Sequence, residues 1–473
     1  MKSSGKPDGK LDLPELHFRC ADRPLDALRA CAEAIARAMH ARTSTPPTYH
    51  WCSWYYAYHN FSLELLEEYL EGIRRLDPPV PLQAIQIDAG YFAHAGDWLE
   101  PRDIWPGGMQ RAFEVIEQAG YRPGIWIAPF MVGSRSRLAA DHPDWVLRDL
   151  DGRPVMEWRW YGGDAIWGYR DEEYYPLDTS HPDAFEYLRS VFRTMHGWGA
   201  RFFKTDFMDW GLKDSTRVRR HTPGKTSVEH FREVLAMIRA EIGQESHWLA
   251  CIAPYAPFVG YADSARIGND ISVTWTAGST LNMIGESVAD QYFNNVWWQN
   301  DPDVIYLRNF HIDLNEQEVR SLAFWEAILG GSINTSAPLH MIAPERLRLW
   351  RFLEPAKERW TARLPYWDAR GKLRVAVREF PELGAFAVLA LNATEEPVTE
   401  RLEFRDLTGQ ERLYCYNWGP EGATPADPKG GDWSFVTPQL AAHESALYYL
   451  SLKEAPPPAD LTLGGARTFP AQP

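Results

Sequence analysis

Between about residue 46 and residue 355 short apolar runs alternate with amphipathic stretches, and this alternation constrains the fold more than any other feature of the chain. The apolar runs are "HWCSW" (50–54), "AIQID" (84–88), "PGIWIA" (123–128), "RFFKTD" (201–206), "HWLACIA" (247–253), "ARIGND" (265–270), "DVIYL" (303–307) and "GSINTS" (331–336). Among the stretches between them, "LELLEEYLEGIRRL", "MQRAFEVIEQAG", "AFEYLRSVFRTMHGWG" and "SVEHFREVLAMIRAEIG" repeat their apolar residues at helical spacing. Eight strand–helix units predict a (β/α)8 barrel, an α/β fold, over residues 46–357. A doubly wound sheet is the runner-up, but no GxGxxG or Walker turn follows any strand.

Outside that span the texture changes. Residues 1–45 read as an extension with one helix in "PLDALRACAEAIARAMHAR", stopped by the prolines of "TPPT". Over 358–455 short alternating runs such as "LRVAVREF", "AFAVLALNA" and "SALYYLSL" predict a small C-terminal antiparallel β-sandwich. Residues 456–473 read as a poorly ordered tail.

The segment "RFFKTDFMDWG" (201–211) puts charge inside a run suited to burial. Strand alternation points Lys204 and Asp206 to one face. Burying an ion is costly unless it is paired or working. The segment alone fits either a structural ion pair or a carboxylate kept ionised by a neighbouring ammonium. Position favours the second. In a barrel the C-terminal strand ends carry the chemistry, and Asp88 and Asp206 close two strands. Asp270 follows the sixth, four residues after Arg266, and Asp301 and Asp303 lie at the approach to the seventh. Stability alone gives no reason for acids at so many buried strand ends.

Composition narrows the chemistry. A net charge of −15 disfavours nucleic acid and anionic membrane as partners, and no apolar run is long enough to span a bilayer. The 21 Trp residues suit a protein that stacks sugar rings on indole faces, although aromatics also fill cores. Five scattered cysteines with no CxxC, and a start without an apolar leader, point to a cytoplasmic location. The 14 histidines form no HxH or HExxH, so no metal or other cofactor is expected, and there is no GxSxG elbow.

Two carboxylates across one cleft are the requirement of glycosidic bond cleavage. Asp206, beside Lys204, suits the nucleophile, which must be ionised. Asp270 suits the acid, whose pKa the Asp206 charge would raise.

The motifs "WCSWYY", "IQIDAGYF…GDWLEP…WPGGM", "GIWIAPFMV", "YPLDTSHPDAFEYL", "FFKTDF", "ARIGND" and "NDPDVIYLR" occur in the order seen in glycoside hydrolase family 36, and the chain resembles its melibiase-type α-galactosidases of clan D over about residues 46–355. The resemblance implies a retaining exo-acting α-glycosidase, most simply an α-galactosidase acting on an oligosaccharide or glycoside. It implies Asp206 as nucleophile, Asp270 as acid/base, and sugar contacts from Asp88, Lys204, Cys251 and Arg266, with Trp54 and Trp126 lining the pocket. Cys251 equally fits an ordinary buried thiol, Trp126 barrel packing, and Arg266 a brace for the strand-six loop.

Three departures matter. Ala89 replaces the second of two aspartates usual after strand two, and "IAPFMV" lacks the acidic residues that flank the strand-three proline in many α-galactosidases. The family's large N-terminal β-sandwich is missing before residue 46, so a homo-oligomer neighbour, a partner chain or the aromatic 150–176 loop is expected to cover that side. A related clan D enzyme or transglycosylase of other sugar specificity, and a non-catalytic sugar-binding relative, are the rival readings.

Overall fold

The computed structural model describes residues 18, 20–21, 23–46, 48–160, 171–354, 359–367, 372–426 and 433–466. Eight short strands form its centre: β1 (Tyr49–Cys52), β2 (Ala84–Ile87), β3 (Arg122–Ile127), β4 (Phe202–Thr205), β5 (His247–Ala250), β6 (Ser264–Arg266), β7 (Gln299–Asp301) and β8 (Ile333–Thr335). They lie in the order β7-β6-β5-β4-β3-β2-β1-β8, with every neighbouring pair parallel. The two ends of the sheet meet where the Ser332 amide donates to the Asn300 carbonyl at 2.9 Å and Val304 bridges Asn334. The sheet therefore closes into a (β/α)8 barrel.

Seven strands fall within a few residues of their expected places. The seventh does not. It is Gln299–Asp301 rather than 303–307, whose apolar residues are buried in the loop beyond the strand. A continuous apolar run signals burial without specifying strand. Asp301 and Asp303 consequently stand at the exit of β7, on the mouth side, and not at its approach.

Several helices start where the sequence supplies a cap or a proline. Helix α1 (Pro24–Ala38) opens on proline, and the outer helices include α2 (Leu63–Arg74), α3 (Gly108–Gln118), α4 (Pro182–Gly197), α5 (Ser227–Ile242) and α6 (Thr280–Asp290). Thr226 and Glu229 cap α5 reciprocally, and Asn315 and Glu318 do the same for α7 (Glu316–Leu329). Helix α7 ends at Gly330, whose φ of +84° and close approach to the Trp360 carbonyl leave no space for a Cβ. Helix α8 (Pro344–Phe352) follows. Among the described residues no helix is long and apolar enough to cross a membrane.

Helix α7 is buried over nearly its whole circumference because it has two partners. One side faces the barrel. The other meets an antiparallel sheet of β9 (Arg374–Phe380), β10 (Ala385–Leu391), β11 (Tyr414–Gly419), β12 (Gly422–Pro425) and β13 (Ser445–Ser451), ordered β9-β10-β13-β11-β12. A second pair, Arg401–Glu403 with Ser434–Val436, lies over this sheet with Phe404, Phe435 and Tyr448 between the layers, a small sandwich. Polar contacts tie α7 to the sandwich: Arg320 to Glu421 at 2.8 Å, Ser321 to Ser445 at 2.9 Å, and Glu318 to His443 at 2.7 Å.

Over 457–466 the chain is not simply a loose tail. Leu461–Thr462 and Gly465–Ala466 pair as a hairpin, Leu463 is buried, and its amide donates to the Phe352 carbonyl at 2.8 Å. Two buried leucines pin a segment whose prolines and glycines suggested none. Of the 150–176 loop, Trp158–Trp160 and Glu172–Pro176 join Met131–Gly133 in a three-stranded sheet. Tyr161, Trp167 and Tyr169 lie outside the described residues.

Candidate active site

Strand register decides which side chains share the barrel's interior face. It aligns Cys52 with Gln86, Gln86 with Gly124, Trp126 with Lys204, and Arg266 with Asp301. Two residues beyond Gln86 and Lys204, on the same face, come Asp88 and Asp206.

Asp88 is held on every side. Its Oδ2 accepts from Lys204 Nζ at 2.8 Å, Gln86 Nε2 at 3.1 Å and Cys52 Sγ at 3.3 Å. Its Oδ1 accepts the Ala89 amide at 2.8 Å, and its own amide donates to Ser53 Oγ at 2.9 Å. Burial pushes the Asp88 carboxyl up, but the Lys204 charge and these hydrogen bonds hold it below the usual aspartate value. Lys204 is its mirror: burial works against the ammonium, and Asp88 raises it well above the ordinary lysine value. The partner of Lys204 is thus Asp88, not Asp206 as expected from strand four alone.

Asp206 is nearly buried, with Oδ2 accepting from Trp126 Nε1 at 3.2 Å and Oδ1 from the Phe207 amide at 2.8 Å. Phe207, at φ +51°, turns the chain sharply just after it. Burial raises the Asp206 carboxyl. Arg266 is its largest counter-charge, Lys204 the next, and Asp270 pushes it further up. Lys204 therefore does not by itself keep Asp206 ionised, and the net shift runs opposite to the one expected.

Arg266 ends β6 and reaches across the mouth. Its Nη1 lies 2.5 Å from Asp270 Oδ1, donates to the Tyr55 hydroxyl at 3.3 Å and stands 4.0 Å from Asp303 Oδ2. The Asp270 side chain is 58% exposed, so of the two expected catalytic acids one is sheltered and the other faces the cavity. Asp303 Oδ2 accepts from the Tyr55 hydroxyl at 2.6 Å and the Ile271 amide at 2.9 Å. Burial chiefly, offset by Arg266 and reinforced by Asp270 and Asp301, pushes the Asp303 carboxyl to about 7. Asp301 Oδ1 takes the Asp303 amide at 3.0 Å and Asn334 Nδ2 at 3.1 Å.

Cys251 continues β5, its amide bonded to the Thr205 carbonyl at 2.7 Å. Burial raises its thiol, with Arg266, Asp206 and Lys204 as charged neighbours, which puts it inside the constellation. Trp126 is buried between Phe92 and Trp98, so it packs the barrel as well as donating to Asp206. Phe207 carries that aromatic contact outward to Trp158 of the loop sheet. Trp54 is half-buried with Tyr58 edge-on to its ring, and its backbone donates to the Cys52 thiol. Its indole is not part of the hydrogen-bonded cluster.

Asp270 and Arg266 open into a cavity of about 790 Å³, lined also by Asp209, Ile252, Asn282 and Glu286. A larger cavity of about 940 Å³ lies against α1 and residues 359–367 and contains none of these groups, so volume alone does not mark the site. Among the described residues no group of three or more His, Cys, Asp or Glu is placed to hold a metal ion. Sequence reasoning missed Gln86, Ser53 and Tyr55. Only the crowding of polar and aromatic residues around strands one and two, "WCSWYY" and "IQID", hinted at them.

Residues 50–195 match the Melibiase family model. The chain is 29% identical over 114 residues to α-galactosidase AgaA of Geobacillus stearothermophilus, which is 23% of this chain and 15% of that protein. It is 25% identical over 190 residues to the A type blood α-D-galactosamine galactosaminidase of Flavonifractor plautii, 39% of this chain and 16% of that one. These matches span less than a fifth of each curated relative. Among solved structures, TtGalA, the α-galactosidase of Thermus thermophilus in complex with stachyose, superposes with a TM-score of 0.57 at 28% identity, covering 69% of this chain and 68% of that one. A GH27 β-L-arabinopyranosidase from G. stearothermophilus shares the fold, with a TM-score of 0.65 at 16% identity over 90% of this chain and 98% of its own. With its parallel barrel, its sandwich and the acids at its strand ends, the chain carries a melibiase-type domain similar to that of these α-galactosidases.

Proposed function

We propose that the protein is a retaining exo-α-galactosidase that removes terminal α-galactose from oligosaccharides or glycosides by double displacement. The observation that carries this reading is the pairing of a sheltered Asp206 with an exposed Asp270 on one barrel mouth, with Arg266 as counter-charge to both. Asp206 attacks the anomeric carbon, and its electron pair forms the glycosyl ester. Asp270 protonates the departing oxygen and then takes a proton from the water that cleaves the ester. The Trp126 and Phe207 N–H groups fix the Asp206 oxygens at 3.2 and 2.8 Å, which positions the nucleophile. Asp88 and Lys204, already charge-paired, are placed to accept from and donate to sugar hydroxyls. Cys251 and Trp126 line the sheltered side, and Trp54 the rim.

Turnover of nitrophenyl α-glycosides tests the assignment. The α-galactoside is expected to be cleaved well above the α-glucoside, with α-galactose as the first product seen by proton NMR. Absence of cleavage across the panel, or β-galactose as first product, removes the reading. Ala89, where the family usually has a second aspartate, favours a related sugar or glycosyl transfer as the second reading, and the same panel with an added acceptor separates them. A cytoplasmic location and a homo-oligomer or partner chain belong to the proposal as well. Fractionation and light scattering test those two.

A further inference from the structure

Asp303 has no part in the double displacement as written, yet more of the mouth converges on it than on Asp270. One oxygen, Oδ2, accepts the Tyr55 hydroxyl at 2.6 Å and the Ile271 amide at 2.9 Å, and lies 4.0 Å from Arg266 Nη1. Those donors come from three places: the turn after β1, the loop carrying Asp270, and the end of β6. Ile271 is the residue after Asp270, so the hydrogen bond to its amide fixes the loop one residue from the acid. Tyr55 and Arg266 are themselves bonded at 3.3 Å, which closes a ring of contacts around the carboxylate.

Asp303 is in turn held from below. Its backbone has φ +93°, a conformation disfavoured for a non-glycine residue, and its carbonyl accepts Asn334 Nδ2 at 2.9 Å. Its amide donates to Asp301 at 3.0 Å. A strained, buried residue bonded through amide, carbonyl and side chain is built to hold one position. Asp206, by contrast, takes both its hydrogen bonds from elements on the other side of the mouth.

We infer that Asp303 is a positioning residue for the Asp270 acid/base, fixing the Asp270 loop and the Arg266 guanidinium through a single carboxylate oxygen. The inference rests on the function proposed above. It says that loss of Asp303 degrades proton transfer by Asp270 and leaves attack by Asp206 largely intact. Displacing a catalytic group by about 1 Å costs on the order of 100-fold in the step it serves.

The experiment compares Asp303→Ala, Asp303→Asn and Tyr55→Phe with wild type on α-galactosides of good and poor leaving groups, with and without azide. For Asp303→Ala the expected loss in kcat/KM, which reports formation of the glycosyl ester, is about 100-fold on poor leaving groups and under about fivefold on good ones. Azide is expected to accelerate its turnover of the good substrate. It would displace Asp206 from the glycosyl ester, forming the C–N bond as the C–O bond breaks, and give α-galactosyl azide by net retention. Asp303→Asn keeps an acceptor for Tyr55 and Ile271 but loses its charge toward Arg266, so its poor-to-good ratio is expected to shift several-fold less. Tyr55→Phe should shift it in the same direction. Equal loss on all leaving groups with no azide product identifies a merely structural residue and overturns the inference. If Asp303→Ala does not fold, a wild-type ratio in both other variants overturns it. A wild type that cleaves no glycoside removes the functional reading, and the inference with it; a cleaving wild type with unselective variants removes the inference alone.

Discussion

The two flanks of the barrel mouth are built on different principles. On the β2–β4 side, Asp88 and Lys204 neutralise each other, and both Asp88 oxygens have protein donors. On the β6–β8 side, Asp270, Asp301 and Asp303 gather around Arg266, Glu326 lies within electrostatic reach of Asp301 and Asp303, and charged groups have unmatched atoms. Glu326 is 1% exposed with no hydrogen-bond partner at either oxygen, and Arg266 Nε also lacks one. The first flank has its charges settled before anything binds, as a recognition surface should. In the second, burial chiefly, with repulsion from neighbouring carboxyls, raises Asp303 and Glu326, and burial raises Asp301. On the function proposed above, recognition and proton handling fall on opposite sides of one opening.

The sharpest way to break this comparison is at the residue between the flanks. Asp206→Ala is expected to lower turnover by about 10⁴-fold or more, and azide should restore activity with a β-galactosyl azide as product. Residual wild-type hydrolysis in that variant would return Asp206 to the role of a buried charge. Asp270→Ala follows, with an expected loss of about 10²–10⁴-fold that is concentrated on poor leaving groups. Here azide should yield the α-azide, so the two products distinguish the two acids by stereochemistry.

On the settled flank the effect falls on stability. Lys204→Met leaves Asp88 buried without its counter-charge, and denaturant unfolding should show a loss of about 3–5 kcal/mol. Adding Asp88→Asn should recover part of it. A single-variant loss below about 1 kcal/mol would mean that this flank is no more tightly built than the other.

The smallest effect is expected from Glu326→Gln and depends on pH. Burial, then Asp303 and Asp301, raises the Glu326 carboxyl well above the ordinary value. The folded protein therefore keeps this proton over a window in which the unfolded chain has released it. Stability contributed by the protonated form is complete below the unfolded pKa and is lost as pH rises toward the folded one. Glutamine does not titrate, so the stability of the variant relative to wild type should improve with pH, by at most about 1.4 kcal/mol per unit. Parallel stability curves from pH 5 to 8 would show that Glu326 does not hold this proton.

Much of the barrel was legible because alternation of strand and helix, with acids at strand ends, is local information. Asp88, Lys204, Cys251, Asp206, Arg266 and Asp270 do converge on one mouth. The misreading of Lys204 shows where local information stops. Residues two apart on a strand share a face but are separated by about 6.6 Å of rise, whereas a side chain arriving from another strand can approach to bonding distance. Asp88 does so, and nothing in "FFKTDF" announces it. Strand seven was misplaced for a related reason: Val304, Ile305 and Leu307 are buried by packing, not by pairing. Tyr55 escaped, and Asp303 was named among the acids without a role, because their contact joins segments 248 residues apart.

The burial of helix α7 between barrel and sandwich has a consequence for anyone wishing to trim or recombine this protein. Glu326, within electrostatic reach of Asp301 and Asp303, sits on a helix that packs against β9, β10 and β13. A shortened version lacking the sheet would bare the apolar side of that helix, which carries the carboxyl nearest Asp301 and Asp303 on its length. The boundary at which gene fragments could be exchanged with a related barrel therefore does not fall between the two domains. A functional cassette would have to carry the sandwich along, as the backing of a helix that packs between it and the barrel.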